Sequence, residues 1–412
     1  MSKATRRLRA VSKKAALKFT VVSAAALALT ITACAPNPPL NSGAGEIPGS
    51  GPTLPIDEST IRLNQLQFIG SHNSYHVAPA APILNWLNAL SSGIPDVAKS
   101  LGDPALLNYS HAPLTTQLER GLRTFELDLF ADPLGNKFAH PLLPQILNLS
   151  VPRPKGMDQP GLKVLHIQDI DFISTCQVFK GCLSELKAWS DQNPDHLPII
   201  INLELKDDQL PAPFDATKIT HFDSTQLDGV DSEVRSILGD RLITPDDVRG
   251  NSPDLRSAIN ENGWPSLVES RGRFLFFMDN EGKRLDYLDG HPNLEGRVMF
   301  TSSGEGQPDG AVLKVNDPGD GSRIKALVEA GYLVRTRADD EVTAPSTTQR
   351  DIAFSSGAQV IHTDFPAGEA AVKTGYVVSF GTKPEARCNP VNIAAIACGA
   401  RALREAGNSQ PD

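Results

Sequence analysis

The sequence predicts an α/β fold of the TIM type, a (β/α)8 barrel of regular or irregular form with long loops on one rim. Eight short apolar runs, each of strand length, recur along the 412-residue chain. Helix-like stretches lie between several of them, an alternation typical of a parallel sheet. Polar side chains follow several runs, as they do at the carboxyl ends of barrel strands. An open α/β sheet is the alternative if the strand count differs by one or two.

The predicted elements extend from residue 66 to residue 363. The candidate strands are Leu66–Ile69, Thr124–Phe130, Val164–Ile167, Pro198–Leu205, Phe274–Met278, Val298–Thr301, Leu333–Thr336 and Val360–Thr363. Helix signals are a capping-box pattern at Thr116–Glu119 before Gly121, a helix beginning with Leu183–Trp189, and helices at Ile324–Ala330 and Thr347–Ser356, each followed by glycine. Two long connections, 77–113 and 131–163, are expected on the same rim, because long loops in compact domains are usually functional or disordered.

The N-terminus has the pattern of an export signal. Residues 1–18 carry seven basic groups and no acid, and an apolar run at 19–33 follows. That run is shorter than the roughly 20 residues that span a bilayer. Ile31–Cys34 resembles a bacterial lipobox, which implies cleavage before Cys34 and its lipidation; a plain signal peptide is the alternative. We therefore predict a leader at 1–33, a Pro/Gly/Ser-rich tether at 34–60, a barrel at 61–400 and a tail at 401–412.

The charge of the exported part excludes one class of partner. Loss of the seven basic leader groups leaves 32 Lys and Arg against 48 Asp and Glu, a formal charge of −16. Nucleic-acid binding depends on basic patches, so this class is excluded. An acidic body is compatible with divalent cations.

Four further cysteines lie in the predicted barrel, at Cys176, Cys182, Cys388 and Cys398. An exported chain meets an oxidising compartment, where disulfides form. Four cysteines allow three pairings. We predict the local one, Cys176 with Cys182 and Cys388 with Cys398, which closes two short loops.

Candidate functional residues cluster at four strand ends. His72 and Asn73 follow the first strand after Gly70. Glu126 and Asp128 share one face of the second strand, because side chains alternate along a strand. Two inward carboxylates are costly without a cation, and their oxygens suit Ca²⁺ or Mg²⁺; an outward, solvated face is the alternative.

The third and fourth strands add the remaining candidates. His166 lies in the third run, where a core histidine is the alternative to a catalyst. Glu204 and Lys206 share a face of the fourth strand, and a carboxylate after so apolar a run is unusual unless it is paired. His76, His111 and His140 lie in or near the rim loops and are interpreted as surface histidines.

These residues resemble the catalytic barrel of phosphoinositide-specific phospholipases C, above all the bacterial calcium-dependent branch. Gly70–Tyr75 resembles the first-histidine motif of that superfamily, and Glu126–Asp128 resembles its Glu-x-Asp metal pair. His166 and Glu204 fall where the second histidine and a further metal carboxylate are expected. Three C-terminal motifs also resemble the bacterial branch: Val334–Asp339, Gly357–Val360 and Arg387–Pro390. The resemblance covers roughly residues 61–398.

The resemblance implies a phospholipase C reaction. The inositol 2-hydroxyl attacks the neighbouring phosphorus, diacylglycerol leaves, and a cyclic inositol phosphate forms. His72 then faces the phosphoryl group as stabiliser or base, and His166 is the general acid. The implied ligands of one Ca²⁺, rather than Mg²⁺, are Asn73, Glu126, Asp128 and Glu204. Glu126 or Asp128 is an alternative base.

Other roles stay open at this point. Lys206 and Arg337 are candidate phosphate contacts, and structural ion pairs are the alternative. The rival functions are a glycerophosphodiester-type phosphodiesterase and a non-catalytic, ligand-binding surface lipoprotein. The first has a His-Arg pair where His72 is followed by Asn73 here. We expect a monomer in the bacterial cell envelope, held to a membrane by its lipid anchor.

Overall fold

The structure, a computed structural model, describes most of the chain beyond residue 56. The described residues are 57–93, 103–151, 155–210, 216–340, 342–369, 375–393, 398 and 403–405. The leader, Cys34 and most of the tether lie outside them and stay predictions. In the described part of the chain, no helix is both long and apolar enough to cross a membrane.

The described residues form one sheet of eleven strands. In chain order these are β1 (Leu66–Ser71), β2 (Thr124–Phe130), β3 (Lys163–Val164), β4 (Ile199–Leu205), β5 (Leu242–Ile243), β6 (Phe274–Met278), β7 (Met299–Thr301), β8 (Val312–Lys314), β9 (Leu333–Arg337), β10 (Val360–Thr363) and β11 (Ala386–Cys388).

Eight of these strands run parallel and curl into a barrel. Their order is β1, β2, β4, β6, β7, β8, β9, β10, and β10 pairs again with β1. A single parallel bridge, Ser302 to Val312, joins the β7 side of the ring to β8 and closes it. The short β5 lies beside the start of β6, while β3 and β11 are antiparallel to β2 and β1.

Helices lie between the strands and cover the barrel. They are α1 (Ala81–Gly93), α2 (Leu114–Glu119), α3 (Leu142–Ile146), α4 (Phe179–Gln192), α5 (Ser224–Leu238), α6 (Pro245–Arg249), α7 (Leu255–Asn262), α8 (Leu267–Ser270), α9 (Arg284–Leu288), α10 (Ser322–Glu329) and α11 (Thr347–Ser356). Helix α4 shows the pattern: Phe179, Leu183 and Leu186 recur at helical spacing and are buried in the same apolar cluster as the strands. All residues of β2 and β6 are buried. Strands that are covered on both faces appear in the sequence as mostly apolar runs.

A second, smaller apolar cluster ties the long connections together. Ile83 and Leu87 of α1 pack with Leu143 of α3 and with Ile170 and Phe172, which follow β3. The two long loops therefore pack with each other and with the segment that carries His166.

The barrel is confirmed, but its strands are not all those predicted. Val164–Ile167 is not a barrel strand: only Lys163–Val164 is extended, and it pairs antiparallel to the end of β2. The strand that completes the ring is Val312–Lys314, whose three residues are too few to stand out as an apolar run. The capping box at Thr116 is also wrong, because α2 begins earlier, at Leu114.

Both predicted disulfides are confirmed. Cys176 is bonded to Cys182, and Cys388 is bonded to Cys398. The first joins the segment after β3 to the start of α4. The second joins β11 to the chain near the C-terminus.

Candidate active site

The turn after β1 folds back onto the next strand. Gly70 lies beside Thr124, and a Cβ on Gly70 would stand 2.1 Å from both the carbonyl oxygen and the hydroxyl of Thr124. Only glycine permits this approach. Ser74 then fixes the turn, because its backbone N–H donates to the Glu126 carbonyl at 3.0 Å and its hydroxyl accepts from the Glu126 N–H at 2.8 Å. His72 and Asn73 are thereby held beside the carboxylates of β2.

The first histidine is oriented by a carboxylate. Nδ1 of His72 lies 2.8 Å from Oδ1 of Asp364, which directly follows β10. The other oxygen of Asp364 accepts from Arg337 at 2.8 Å. Because the carboxylate can only accept, His72 donates through Nδ1, and its Nε2 is left for another partner.

The second histidine has the same arrangement. Nδ1 of His166 lies 2.8 Å from Oδ2 of Asp171, and Nε2 of His76 lies 2.7 Å from the same oxygen. His76 is buried and stacks on the Tyr109 ring, with centroids 4.3 Å apart. Asp171 thus holds His166 by its Nδ1 and leaves its Nε2 for a reacting group.

Three carboxylates meet between the two histidines. The parallel register of β2 and β4 places Asp128 beside Glu204. Ligand oxygens of Glu126, Asp128 and Glu204 all lie within 4.8 Å of one another. Glu126 and Asp128 are buried, so the inward orientation predicted for them is correct and the solvated alternative is wrong.

Each carboxylate already faces a positive group. Oε2 of Glu126 accepts from Arg335 at 2.6 Å and lies 3.0 Å from Nδ1 of His362. The ammonium of Lys206 lies 2.8 Å from Oδ2 of Asp128 and 2.9 Å from Oε1 of Glu204. Lys206 thus forms ion pairs in this structure, as Arg337 does with Asp364.

The four proposed ligands fit a calcium ion. Ca²⁺ takes six to eight oxygen ligands, largely from carboxylates and amide carbonyls. Asn73, whose Nδ2 donates to the Tyr109 hydroxyl at 3.1 Å, has a buried Oδ1 with no hydrogen-bond partner among the described residues. The same holds for Oδ1 of Asp128. Buried acceptors without partners are uncommon in proteins, and a cation would satisfy both.

Burial and neighbouring charges set the protonation of these groups. Burial raises the pKa of Asp128 well above its usual value. The charges of Glu204 and Glu126 add to this rise, and the charge of Lys206 opposes it. Burial also acts on Glu126, but Arg335 and the two nearby histidines outweigh it and hold its pKa well below its usual value. For Glu204, the charges of Lys206 and His166 outweigh burial, so its pKa is lowered.

The histidine partners stay ionised. The charge and hydrogen bond of His72 outweigh burial and hold the pKa of Asp364 low. The hydrogen bonds from His166 and His76 do the same for Asp171. Burial, together with Arg337, lowers the pKa of His72 below the ordinary histidine value.

A polar cavity of about 500 Å³ opens beside the second histidine. Its polar and charged lining includes His166, Glu204, Lys206, Asp207, Asn280 and Lys283. Its walls carry three carboxylates and two lysines beside four apolar side chains. The cavity gives a ligand access to the side chain of His166.

Two histidines interpreted as surface residues are buried. His76 contacts Asp171, as described above. Nε2 of His111 lies 2.9 Å from the His72 carbonyl, and its Nδ1 lies 2.6 Å from Glu369. The surface interpretation is therefore wrong for both, while His140 is exposed as expected.

Sequence reasoning also missed the carboxylates that orient the histidines. Asp364 follows β10 directly, so the rule that strand ends carry functional groups would have found it. Asp171 lies in a loop, and only its distance of five residues from His166 hinted at a role. Arg335 and His362 lie inside apolar runs and gave no signal of their contact with Glu126.

Comparisons with known proteins give a family match and a similar fold. Residues 61–390 match the family model described as phosphoinositide phospholipase C, Ca²⁺-dependent. Curated protein sequences give no match. A solved calcium-dependent phosphoinositol-specific phospholipase C from Pseudomonas sp., in a myo-inositol complex, is 16% identical, with a TM-score of 0.50 over 82% of this chain and 100% of that one. The enzyme from Streptomyces antibioticus is 18% identical, with a TM-score of 0.47 over 74% of this chain and 94% of that one. At such identities the Pseudomonas similarity supports the fold.

Proposed function

The chain belongs to the calcium-dependent phosphoinositide phospholipase C family, and on that premise we propose that it cleaves phosphatidylinositol or a related phosphodiester. In this reaction the inositol 2-hydroxyl attacks phosphorus, the bond to the diacylglycerol oxygen breaks, and a cyclic inositol phosphate forms. One observation carries the proposal: two carboxylate-oriented histidines flank a cluster of three carboxylates at the strand ends.

His72 acts on the phosphoryl side. Asp364 accepts a hydrogen bond from its Nδ1–H. In the neutral ring, Nε2 then carries the lone pair that is left for the reacting groups. Because burial and Arg337 lower its pKa, the imidazole is neutral near pH 7 and can accept the hydroxyl proton. Glu126 is a weaker candidate for the base, since Arg335 and the nearby histidines hold its pKa low.

His166 acts on the leaving oxygen. Asp171, whose pKa is held low, accepts from its Nδ1 and fixes the orientation of the ring. Its Nε2–H then serves as the general acid, a role that typically contributes about 10²–10⁴-fold to rate. The side chain is 21% exposed at the cavity edge, which gives the substrate access to it.

The cation site lies between these two groups. Asn73, Glu126, Asp128 and Glu204 would hold one Ca²⁺, which when bound would neutralise phosphate charge and acidify the attacking hydroxyl. The unpartnered oxygens of Asn73 and Asp128 support this ligand set. Lys206 and Arg337 stay our candidates for phosphate contacts, because their side chains are 18% and 14% exposed at the same rim.

The two rival functions are not favoured. A glycerophosphodiester-type enzyme would have a His-Arg pair, whereas Asn73 follows His72 here and the family match is to the phospholipases. A ligand-binding lipoprotein without activity has no need of two histidines that are each oriented by an ionised carboxylate. We also propose export and lipid anchoring at Cys34, supported by the basic leader and the lipobox pattern, and a monomeric state.

Replacing His166 with alanine tests the proposal. We expect His166→Ala to lower phosphatidylinositol cleavage by about 100-fold or more, because the leaving oxygen loses its acid. His140→Ala is the matched control, since His140 is an exposed histidine of a rim loop, and it should keep wild-type activity. Full activity in His166→Ala would show that the assignment is wrong.

A further inference from the structure

A lysine ammonium lies within the cluster proposed to hold calcium. Nζ of Lys206 is 2.8 Å from Oδ2 of Asp128 and 2.9 Å from Oε1 of Glu204. Lys206 follows β4 and lies two residues after Glu204, so both side chains leave the chain on the same side. The contact therefore follows directly from the local sequence Glu-x-Lys at this strand end.

Lys206 is the cation that faces two of the three carboxylates. Glu126 has other positive partners, Arg335 and His362. For Asp128 and Glu204, Lys206 is the positive partner among the described residues. Buried carboxylates without an opposite charge are costly, so this ammonium stabilises the cluster when no metal is bound.

A calcium ion that bound through Glu204 and the unpartnered Oδ1 of Asp128 would lie beside this ammonium. Two positive charges so close together repel each other, and the ammonium occupies oxygens of the same two carboxylates. Binding of the ion therefore favours departure of the ammonium. The metal comes from solvent, whereas the lysine is tethered by its own chain.

The lysine has a route out of the site. Its backbone N–H donates to the Leu129 carbonyl at 2.8 Å, which keeps the main chain paired with β2. Its side chain is 18% exposed and borders the cavity of about 500 Å³ described above. Four rotatable bonds allow the ammonium to move into that cavity without any movement of the strand.

We propose that Lys206 is an internal competitor of calcium: its ammonium occupies Asp128 and Glu204 in the metal-free protein and is displaced when the ion binds. This inference rests on the proposed calcium site. Lys206 thereby weakens calcium binding, because each binding event must break two ion pairs. It also preserves the fold of the metal-free protein, because the carboxylates keep a partner. Lys206 therefore raises the calcium concentration at which the metal site fills and the enzyme becomes active.

Calcium titration of lysine variants of the full chain tests this proposal. Lys206→Met removes the competitor, and Lys206→Gln removes its charge while it keeps a hydrogen-bond donor. Calcium binding is measured by isothermal titration calorimetry without substrate. Both variants should bind Ca²⁺ about tenfold or more tightly than the wild type, a change typical of the loss of one close charge pair.

The matched control is Lys314→Met. Nζ of Lys314 lies 2.5 Å from Oδ2 of Asp279, and its side chain is 21% exposed, close to the value for Lys206. The control removes the same charge from another rim ion pair and should change calcium affinity by less than about threefold, because charges that do not contact the ion are largely screened. An equal gain in Lys314→Met would overturn the proposal in favour of a general charge effect.

Thermal unfolding gives a second readout. In chelator, Lys206→Met should unfold several degrees below the wild type, because its carboxylates have lost their partner, and saturating Ca²⁺ should remove that difference. Unchanged or weaker calcium binding in both Lys206 variants overturns this inference while the calcium site stands. Absence of calcium binding in the wild type and in every variant overturns the site and this inference together.

Discussion

At the scale of single residues, a carboxylate orients each of the two histidines that we propose as catalytic. Asp364 and Asp171 each accept from the Nδ1 of a histidine at 2.8 Å, and both stay ionised. The histidines themselves could be predicted from their positions near strand ends. Their partners could not, because Asp171 lies in a loop whose path depends on packing against the Tyr75–His76 segment.

Asp171→Asn tests this orientation. The asparagine keeps the shape but not the charge, so the carboxylate that accepts from Nδ1 of His166 is lost. We expect kcat to fall about 10- to 100-fold, as for other partners that orient a functional histidine, with KM nearly unchanged.

Asp169→Asn is the control for that variant. Asp169 is two residues away and accepts from the Leu142 and Thr217 N–H groups, away from the histidines. The Asp169→Asn variant should have a lower unfolding temperature than the wild type and an unchanged kcat. A loss of kcat of the same size in Asp169→Asn would show that Asp171 has only a structural role.

Asp339 predicts a pH dependence of stability. Burial and the neighbouring Asp364 raise its pKa to about 7, from 3.8 in the unfolded chain. The folded protein therefore keeps a proton that the unfolded chain has lost between these values, so this group makes the protein less stable as pH rises from 4 to 7. Asp339→Asn should remove that decline, which is on the order of 2–4 kcal/mol.

Denaturant unfolding at several pH values measures the effect. The variant should gain free energy of unfolding relative to the wild type between pH 5 and pH 8, with little difference near pH 4. A difference that is constant across this range would show that Asp339 is not protonated in the folded state.

At the scale of elements, β1 and its turn hold His72 and Asn73 beside the carboxylates of β2. Ser74 exchanges hydrogen bonds with Glu126, and Gly70 lets β1 approach Thr124. The apolar run and the glycine predicted this strand and its end correctly. The antiparallel β3 could not be predicted, because Val164–Ile167 is as apolar as a barrel strand and only tertiary pairing with β2 decides its direction.

The first long loop belongs to the site as well. Tyr109 accepts from Asn73, and His111 holds the His72 carbonyl while Glu369 binds its other nitrogen. These contacts join residues that lie far apart in sequence. A loop with no periodic pattern gives no sequence signal for them, which is why His111 was interpreted as a surface residue.

Gly70→Ala tests the close approach of β1 to β2. A methyl group at 2.1 Å from the Thr124 carbonyl and hydroxyl forces the strands apart, so we expect a loss of about 3 kcal/mol of stability or a failure to accumulate. Gly229→Ala is the control, because this helical glycine has nothing within 4 Å of the added Cβ. It should leave stability unchanged or raise it by up to about 1 kcal/mol. A Gly70→Ala protein as stable as the Gly229→Ala protein would contradict the packing described here.

At the scale of the whole molecule, a closed barrel brings distant strand ends to one rim. Seven of its eight strands were predicted, because buried parallel strands read as apolar runs. The eighth, Val312–Lys314, is too short to give that signal. The shared, buried face of Glu126 and Asp128 was predicted by the alternation of side chains along β2, whereas Arg335 of β9 and His362 of β10 contact Glu126 through tertiary packing that no local pattern encodes.

Phosphorus NMR of the reaction with phosphatidylinositol tests whether the groups at this rim catalyse a calcium-dependent attack of the inositol 2-hydroxyl on the phosphorus of the same molecule. With Ca²⁺ present, a cyclic inositol phosphate should appear as the first product, and chelation should abolish it. An acyclic phosphate as the first product, or equal cleavage in chelator, would show that this mechanism is wrong.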